Sequence, residues 1–298
     1  MTTSRVQESN PRSTALGLLV LSSILWGSAF VSAKIGLAYI NPFDFVFLRL
    51  AIAATILFVV LVSRRRFHFV LLKQRSVWFL GILNGVAFLL QYVGLEFTTA
   101  AKTALLGDLN LLIVAILGWW LFQESFGKLK QLGVVLGIAG AVMIATNGDL
   151  SNLMGGQLLG DVFVFSSGVV WAFFIVYTKQ VLLEKDQDAL QLSAVVMIAT
   201  ALVLLPSAVI VGAVTSSRIS VQGWGLILYM AVACTVLPYA IWTVALKSVT
   251  VTVATVVGML EIVAAMVLSW IFIGEVYNTS TLLGALLVLA ALFAVTES

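Results

Sequence analysis

The chain has 298 residues, of which 61% are hydrophobic and 10% charged, with Lys+Arg 16 against Asp+Glu 13. A soluble domain of this size carries roughly 25% charged residues, so a mean hydropathy of +1.13 excludes both a soluble enzyme and a disordered chain. A single cysteine, Cys234, excludes a disulfide scaffold, and an excess this small gives no reason to invoke nucleic acid as a partner. The composition predicts an all-α polytopic membrane protein whose surroundings are the lipid bilayer.

About 20 apolar helical residues cross a hydrocarbon core of roughly 30 Å. Ten runs of that kind follow in chain order: 14–39, 43–63, 76–96, 99–122, 129–147, 158–182, 189–213, 223–246, 252–273 and 280–296. None alternates in polarity as the strands of an outer-membrane barrel would. The first lacks a small-residue cleavage pattern and is expected to remain in the mature chain. Basic residues set the orientation. With the N-terminus inside, Arg5, Arg12, Arg64, Arg65, Arg66, Lys73, Arg75, Lys128, Lys130, Lys179, Lys185 and Lys247 fall on the cytoplasmic side and only Arg218 outside. Both termini are therefore expected in the cytoplasm.

The chain also repeats itself. At an offset of 151, residues 84–146 align without a gap on 235–297, placing Gly107 on Gly258, Trp119 on Trp270, Glu124 on Glu275 and Gly133 on Gly284. At an offset of 145, Ser22 meets Ser167, Trp26 meets Trp171 and Lys34 meets Lys179. Each half then holds five helices, and because five is odd the second half enters the membrane from the opposite side. The expected division is a cytoplasmic tail, 1–13, a first repeat, 14–147, an external linker, 148–157, and a second repeat, 158–298.

The motifs ILWGSAFVSAKIGL and PFDFVFLRLAIA, followed by the acidic end of the fourth span with Gln131 and Gly133, resemble an EamA domain of the drug/metabolite transporter superfamily. The second half repeats the pattern as GEVYNTSTLLGALLVL. The length and the aromatic first, sixth and eighth spans are further similar to the YddG-type amino-acid exporters of the bacterial inner membrane. The resemblance implies two inverted five-helix repeats around a central cavity lined by the first, third, fourth, sixth, eighth and ninth spans. One departure is Gln123, where the family has the Gly of a Gly-Glu pair kept here as Gly274 and Glu275, and this is expected to alter the turn after the fourth span.

Depth along each span nominates the residues that line such a cavity. Asn110 and its mate Glu261 fall near the bilayer midplane, where a carboxylate costs roughly 2.5 to 3.5 kcal/mol and must face protein or water. The alternative for Glu261 is a protonated side chain that ties helices together. Asn84, Phe88 and Gln91 share one helical face, as do their mates Thr235, Tyr239 and Trp242. An amide and aromatic stripe suits a pocket with apolar walls and few polar contacts. Pro238 removes a backbone hydrogen bond from that helix and is expected to kink it. Trp26 and Trp171 lie too deep for the interfacial belt; the alternative to substrate contact is packing, with the indole N–H on Ser22 or Ser167.

Other charges read as structural. Asp44 and Arg49 are expected to pair with each other or with a loop, and Asp161, Lys34 and Lys179 to snorkel. Lys102 and Asp108 lie about 120° apart around the fourth span, too far around for a direct pair. Glu124 and Glu275 read as ties to the following turn. A lone His68, no phosphate-binding loop and no nucleophile elbow leave no enzyme chemistry, metal or cofactor to predict.

The expected function is therefore export of amino acids or similar small metabolites by alternating access, with facilitated rather than coupled movement. A proton-coupled exporter of lipophilic cations, an intramembrane enzyme using Asp108 and Glu261, and a channel are the alternatives. The oligomeric state stays open, a monomer included.

Overall fold

The computed structural model describes residues 11–36, 39–40, 42–97, 107, 110–123, 127–146, 148–149, 158–184, 188–212, 219–274 and 277–296. These residues are helical apart from short connections. In chain order the α-helices are α1 (Pro11–Gly36), α2 (Pro42–Ser63), α3 (Arg75–Phe97), α4 (Asn110–Phe122), α5 (Lys128–Thr146) and α6 (Leu158–Glu184). There follow α7 (Ala189–Ser207), α8 (Val221–Ala231), α9 (Leu237–Ala245), α10 (Val251–Gly258), α11 (Leu260–Ile273) and α12 (Thr279–Thr296).

Start signals in the sequence account for several boundaries. Asp188 accepts a hydrogen bond from the Gln191 N–H at 2.9 Å before α7, and Ser220 accepts one from Gly223 at 3.1 Å before α8. Thr250 does the same for Val253 before α10, and Asn278 for Thr281 before α12. Each side-chain oxygen satisfies a donor that the first helical turn leaves open. Proline shapes the eighth expected span. Without an N–H at Pro238, the five residues Val232–Val236 ahead of it widen into a π-helical turn between α8 and α9.

Seven of the described segments are long and apolar enough to cross a bilayer: Arg12–Ala33, Phe43–Ser63, Arg75–Leu95, Val162–Leu183, Ala189–Ile210, Val221–Ala245 and Val251–Phe272. The described residues of α4, α5 and α12 occupy the places of the other three expected spans. Residues 99–106, 108 and 109 of the fourth expected span and all but two residues of the expected linker lie outside the described residues, as do Arg5, Lys102, Asp108, Glu124, Lys185, Arg218 and Glu275 and the side chains of Lys34 and Asp161. Large apolar side chains face outward along these helices, Ile210, Trp120, Phe272 and Phe293 among them, as a lipid-facing surface requires.

The packing crosses between the halves. Helix α1 lies against α9 and α11, while α6 lies against α3 and α4; α2 packs on α7, and α5 on α12. Small residues set two of these contacts. A Cβ at Gly27 would stand 2.6 Å from the backbone oxygen of Glu261, and one at Gly140 would stand 2.5 Å from that of Gly284. Backbones approach this closely only where no side chain intervenes. On the first half's basic loop, Phe67 and Phe69 stack edge-on with each other at 4.8 Å and both meet Phe58, which carries Arg64, Arg65 and Arg66 at the foot of α2.

Of the turn after the fourth span, where a disturbance was expected, Gln123 is among the described residues and 124–126 lie outside them. Gln123 follows α4 with φ +51°, and Gly274 follows α11 with φ +74°, so both helices end in a left-handed residue. Glutamine takes the conformation that the family's glycine takes freely.

Candidate functional site

Tyr239, at the start of α9, is the hub of an aromatic cluster between the two halves. Its ring lies 5.7 Å from Trp26 of α1 in an edge contact at 83°, and 6.3 Å from Trp171 of α6 at 43°. Trp26 also meets Trp242 at 6.2 Å, and Trp171 meets Phe88 of α3 at 5.1 Å in an edge contact. Such pairs contribute about 0.5 to 1.5 kcal/mol each beyond the area they bury. Five of the ten residues nominated from the sequence thus stand in one continuous set of ring contacts. Phe174, one turn below Trp171 at 5.4 Å, belongs to it as well and was not nominated.

Two nominated polar residues stand behind this wall. Asn84 is 0% exposed; its Nδ2 donates to Thr200 at 3.0 Å and its Oδ1 accepts from the Tyr239 hydroxyl at 3.0 Å. The amide fixes the tyrosine ring. Thr235 is equally buried, and its hydroxyl donates to the Met230 carbonyl five residues back, across the π-helical turn. Gln91 and Asn110 are half-buried, and Gln91 Nε2 stands 3.9 Å from where a Cβ of Gly107 would be.

Helix continuity breaks beside Glu261. The chain turns at Met259 between α10 and α11, and Glu261, half-buried, occupies the first turn of α11, where the helix dipole favours a carboxylate. Ser23 of α1 donates to the Val257 carbonyl at 3.0 Å, just before the break, and Ser22 donates to that of Pro238 at 3.1 Å. Ser22 keeps its acceptor lone pairs, but among the described residues no hydrogen bond joins it to the Trp26 indole. A Cβ added at Gly258 meets nothing within 4 Å among the described residues, which leaves open space one turn from Glu261.

Two other expectations are corrected. Arg49 does not pair with Asp44; its Nη1 donates to the Tyr92 hydroxyl at 2.9 Å and its guanidinium lies 4.8 Å from the Phe88 ring. Five residues along a helix turn the chain through about 140°, which points the two side chains apart. Lys179 does not snorkel either. It is buried, and its ammonium donates to the carbonyls of Leu246 and Val249 at the end of α9. Those carbonyls lack helical partners and are nearer than solvent.

The aromatic wall and the broken helix bear a fold that others share. The model of the EamA-like transporter family matches residues 13–146 and again 158–296. The chain belongs to the EamA-like transporter family. This EamA-like transporter is 26% identical over 285 residues to an uncharacterized transporter of Archaeoglobus fulgidus, covering 94% of this chain and 96% of that one. It is also 26% identical over 277 residues to the uncharacterized transporter YyaM of Bacillus subtilis (91% and 90% covered), and 26% identical over 281 to YoaV of the same organism (93% and 94%). A protein crystal structure superposes with a TM-score of 0.82 at 16% identity, over 96% of this chain and 98% of that one, and so shares its fold. The protein is a multi-pass membrane transporter. As its relatives are transporters, the intramembrane-enzyme alternative is set aside.

Proposed function

We propose that this transporter exports amino acids or similar small metabolites across the bacterial inner membrane, by alternating access between two inverted five-helix repeats, 14–147 and 158–298. One observation carries the reading: Trp26, Phe88, Trp171, Tyr239 and Trp242 form a single aromatic cluster that bridges the first helices of both halves, beside the helix break at Glu261. The rings pack against an apolar or aromatic side chain, the Glu261 carboxylate meets an ammonium, and the amides of Gln91 and Asn110 approach a carboxylate. Asn84 holds the Tyr239 ring through its hydroxyl.

The inverted arrangement is supported by packing that is unchanged when the halves are exchanged. Contacts of α1 with the eighth and ninth spans mirror those of α6 with the third and fourth, and α2 on α7 and α5 on α12 each map onto themselves. Trp119 and Trp270, repeat mates, are both exposed near helix ends, as two belts at opposite interfaces would be. Ten crossings put the short N-terminal tail, 1–13, and the C-terminus in the cytoplasm and the linker, 148–157, outside. A discontinuous helix at mid-membrane is where such transporters bind substrate.

Movement is facilitated rather than proton-coupled. Helices α1 and α6 offer hydroxyls at Ser22, Ser23 and Ser167 where a coupling carboxylate would sit, and both α1 serines are engaged by carbonyls. Purified protein in liposomes, given neutral and aromatic amino acids, lipophilic cations and sugar phosphates, tests the whole reading. Amino-acid flux should persist when the pH gradient is collapsed, and Glu261→Gln should stay active with a raised KM, since it loses the contact to the ammonium but no coupling step. Trp171→Ala and Trp242→Ala should each lower the flux on the order of tenfold. Cation flux without amino-acid flux would overturn the assignment in favour of a drug exporter, a reading that the rings beside Glu261 also favour.

A further inference from the structure

Arg49 is the charge that the proposed site leaves unused. It lies two turns into α2, about 10 Å along the axis from Pro42, and is 5% exposed. Its Nη1 donates to the Tyr92 hydroxyl at 2.9 Å, and its Cζ lies over the Phe88 ring, 4.8 Å from the centre, and 6.0 Å from the centre of the Tyr92 ring. Its Nε is buried without a hydrogen-bond partner among the described residues, and no ion pair engages it there. A guanidinium carries five N–H donors and does not give up its proton. Ionisable groups inside a membrane pair with one another or with backbone carbonyls, as Lys179 does, or line a substrate pathway.

The surroundings say which anion suits Arg49. Phe88, against which Arg49 stacks, is in edge contact with Trp171, so the guanidinium stands one ring away from the aromatic cluster. The ring contacts run on from Trp171 through Tyr239 to Trp26, and Gly27, next to Trp26, packs on the backbone of Glu261, so one set of contacts leads from the cation to the residue that carries the carboxylate. One guanidinium balances the single charge of a carboxylate and matches its two oxygens, whereas a sugar phosphate of about two charges would need further cations. Asn84, nominated from the sequence to line the cavity, has its amide hydrogen-bonded to Thr200 and Tyr239 instead.

We infer that Arg49 is the carboxylate-binding residue of the transport site, and that the substrates are small organic molecules with a free carboxylate, an amino acid lying with its ammonium toward Glu261. The inference rests on the amino-acid reading above and narrows it. Arg49 in this role grips the substrate with N–H donors that Tyr92 does not occupy, while Phe88 and Tyr92 hold the guanidinium in plane.

Liposomes containing the intact protein test this with four probes that differ only at the two charged ends: L-phenylalanine, L-phenylalaninamide, phenethylamine and 3-phenylpropionate. Wild-type protein should carry phenylalanine on the order of tenfold or more better than its amide. In Arg49→Gln the KM for phenylalanine should rise on the order of tenfold to a hundredfold, and the preference for acid over amide should collapse. Arg49→Lys, which keeps the charge and loses the fork, should fall between. An Arg49→Gln protein with the wild-type ratio overturns the inference, as does wild-type protein that carries acid and amide equally, a result that needs no variant to fold. Flux of 3-phenylpropionate alone, abolished in Arg49→Gln, leaves Arg49 in its role and removes the amino-acid reading. No flux of either carboxylate removes both.

Discussion

Replacing Gln123 by glycine and Gly274 by alanine should move stability in opposite directions. Both residues follow a helix in the left-handed region, at φ +51° and +74°. That region costs a residue with a side chain roughly 1 to 2 kcal/mol, while a glycine there gives up about 0.4 to 1 kcal/mol more chain entropy on folding. The difference predicts a gain of about 0.5 to 1 kcal/mol for Gln123→Gly and a loss of similar size for Gly274→Ala. No steric contribution confuses the second change, because a Cβ at Gly274 meets nothing within 4 Å among the described residues. At about 2 °C per kcal/mol for a chain this long, unfolding of detergent-solubilised protein, followed by tryptophan fluorescence, should shift by 1 to 2 °C upward and downward respectively. Shifts of the same sign, or a neutral Gly274→Ala, would refute the conformational account.

Tyr239→Phe and Asn84→Leu should each lower stability by about 0.6 to 1.7 kcal/mol per hydrogen bond lost, and a double-mutant cycle should return a coupling of that size; additive effects would mean that Asn84 does not hold the tyrosine. Lys179→Met should loosen the end of α9, so that a cysteine placed by Trp242→Cys labels several-fold faster from the cytoplasmic side, and an unchanged rate would count against the latch. Gly27→Leu, whose Cβ would stand 2.6 Å from the Glu261 carbonyl and 2.7 Å from Ala264 Cβ, should abolish flux and folding yield, whereas Gly17→Leu, with nothing within 4 Å among the described residues, should change stability by less than about 0.5 kcal/mol. Under alternating access, Gln91→Cys should react with impermeant reagent from outside and Trp242→Cys from inside; reaction of both from one side in every condition would exclude that mechanism.

The sequence was most legible where a single periodicity carries the information. Apolar runs located the long helices, and the face shared by Tyr239 and Trp242 was readable because both sit beyond the π-helical turn, in unbroken helix. Trp26 and Trp171, singled out by their depth in the first and sixth spans, both meet the Tyr239 ring. Arg49 was misread because a charge near the start of a span is ordinarily a loop partner. The signals against that reading were its place two turns into an apolar run and the 140° that separates it from Asp44. Asn84 shows the other limit. Spacing put it on one face with Phe88 and Gln91, but Thr200, which accepts from its amide, lies 116 residues away in another helix, and no local pattern pairs the two. Lys179 likewise found its acceptors in a helix end some 70 residues distant, which no local pattern reports.

The widened turn at Val232–Val236 has a consequence for phase. An α-helix advances about 100° per residue, so one additional residue held in a wide turn rotates everything after it by about that angle relative to everything before. Deleting a single residue there would restore a regular helix and swing Tyr239 and Trp242 away from Trp26 without altering any side chain. The wide turn lies where the letter-for-letter register of the two halves begins. Their gapless register begins at Asn84 and Thr235, and α3 is unbroken through Asn84 while its counterpart carries its wide turn immediately before Leu237. Upstream of that turn, residues occupying equivalent positions are no longer separated by the same count.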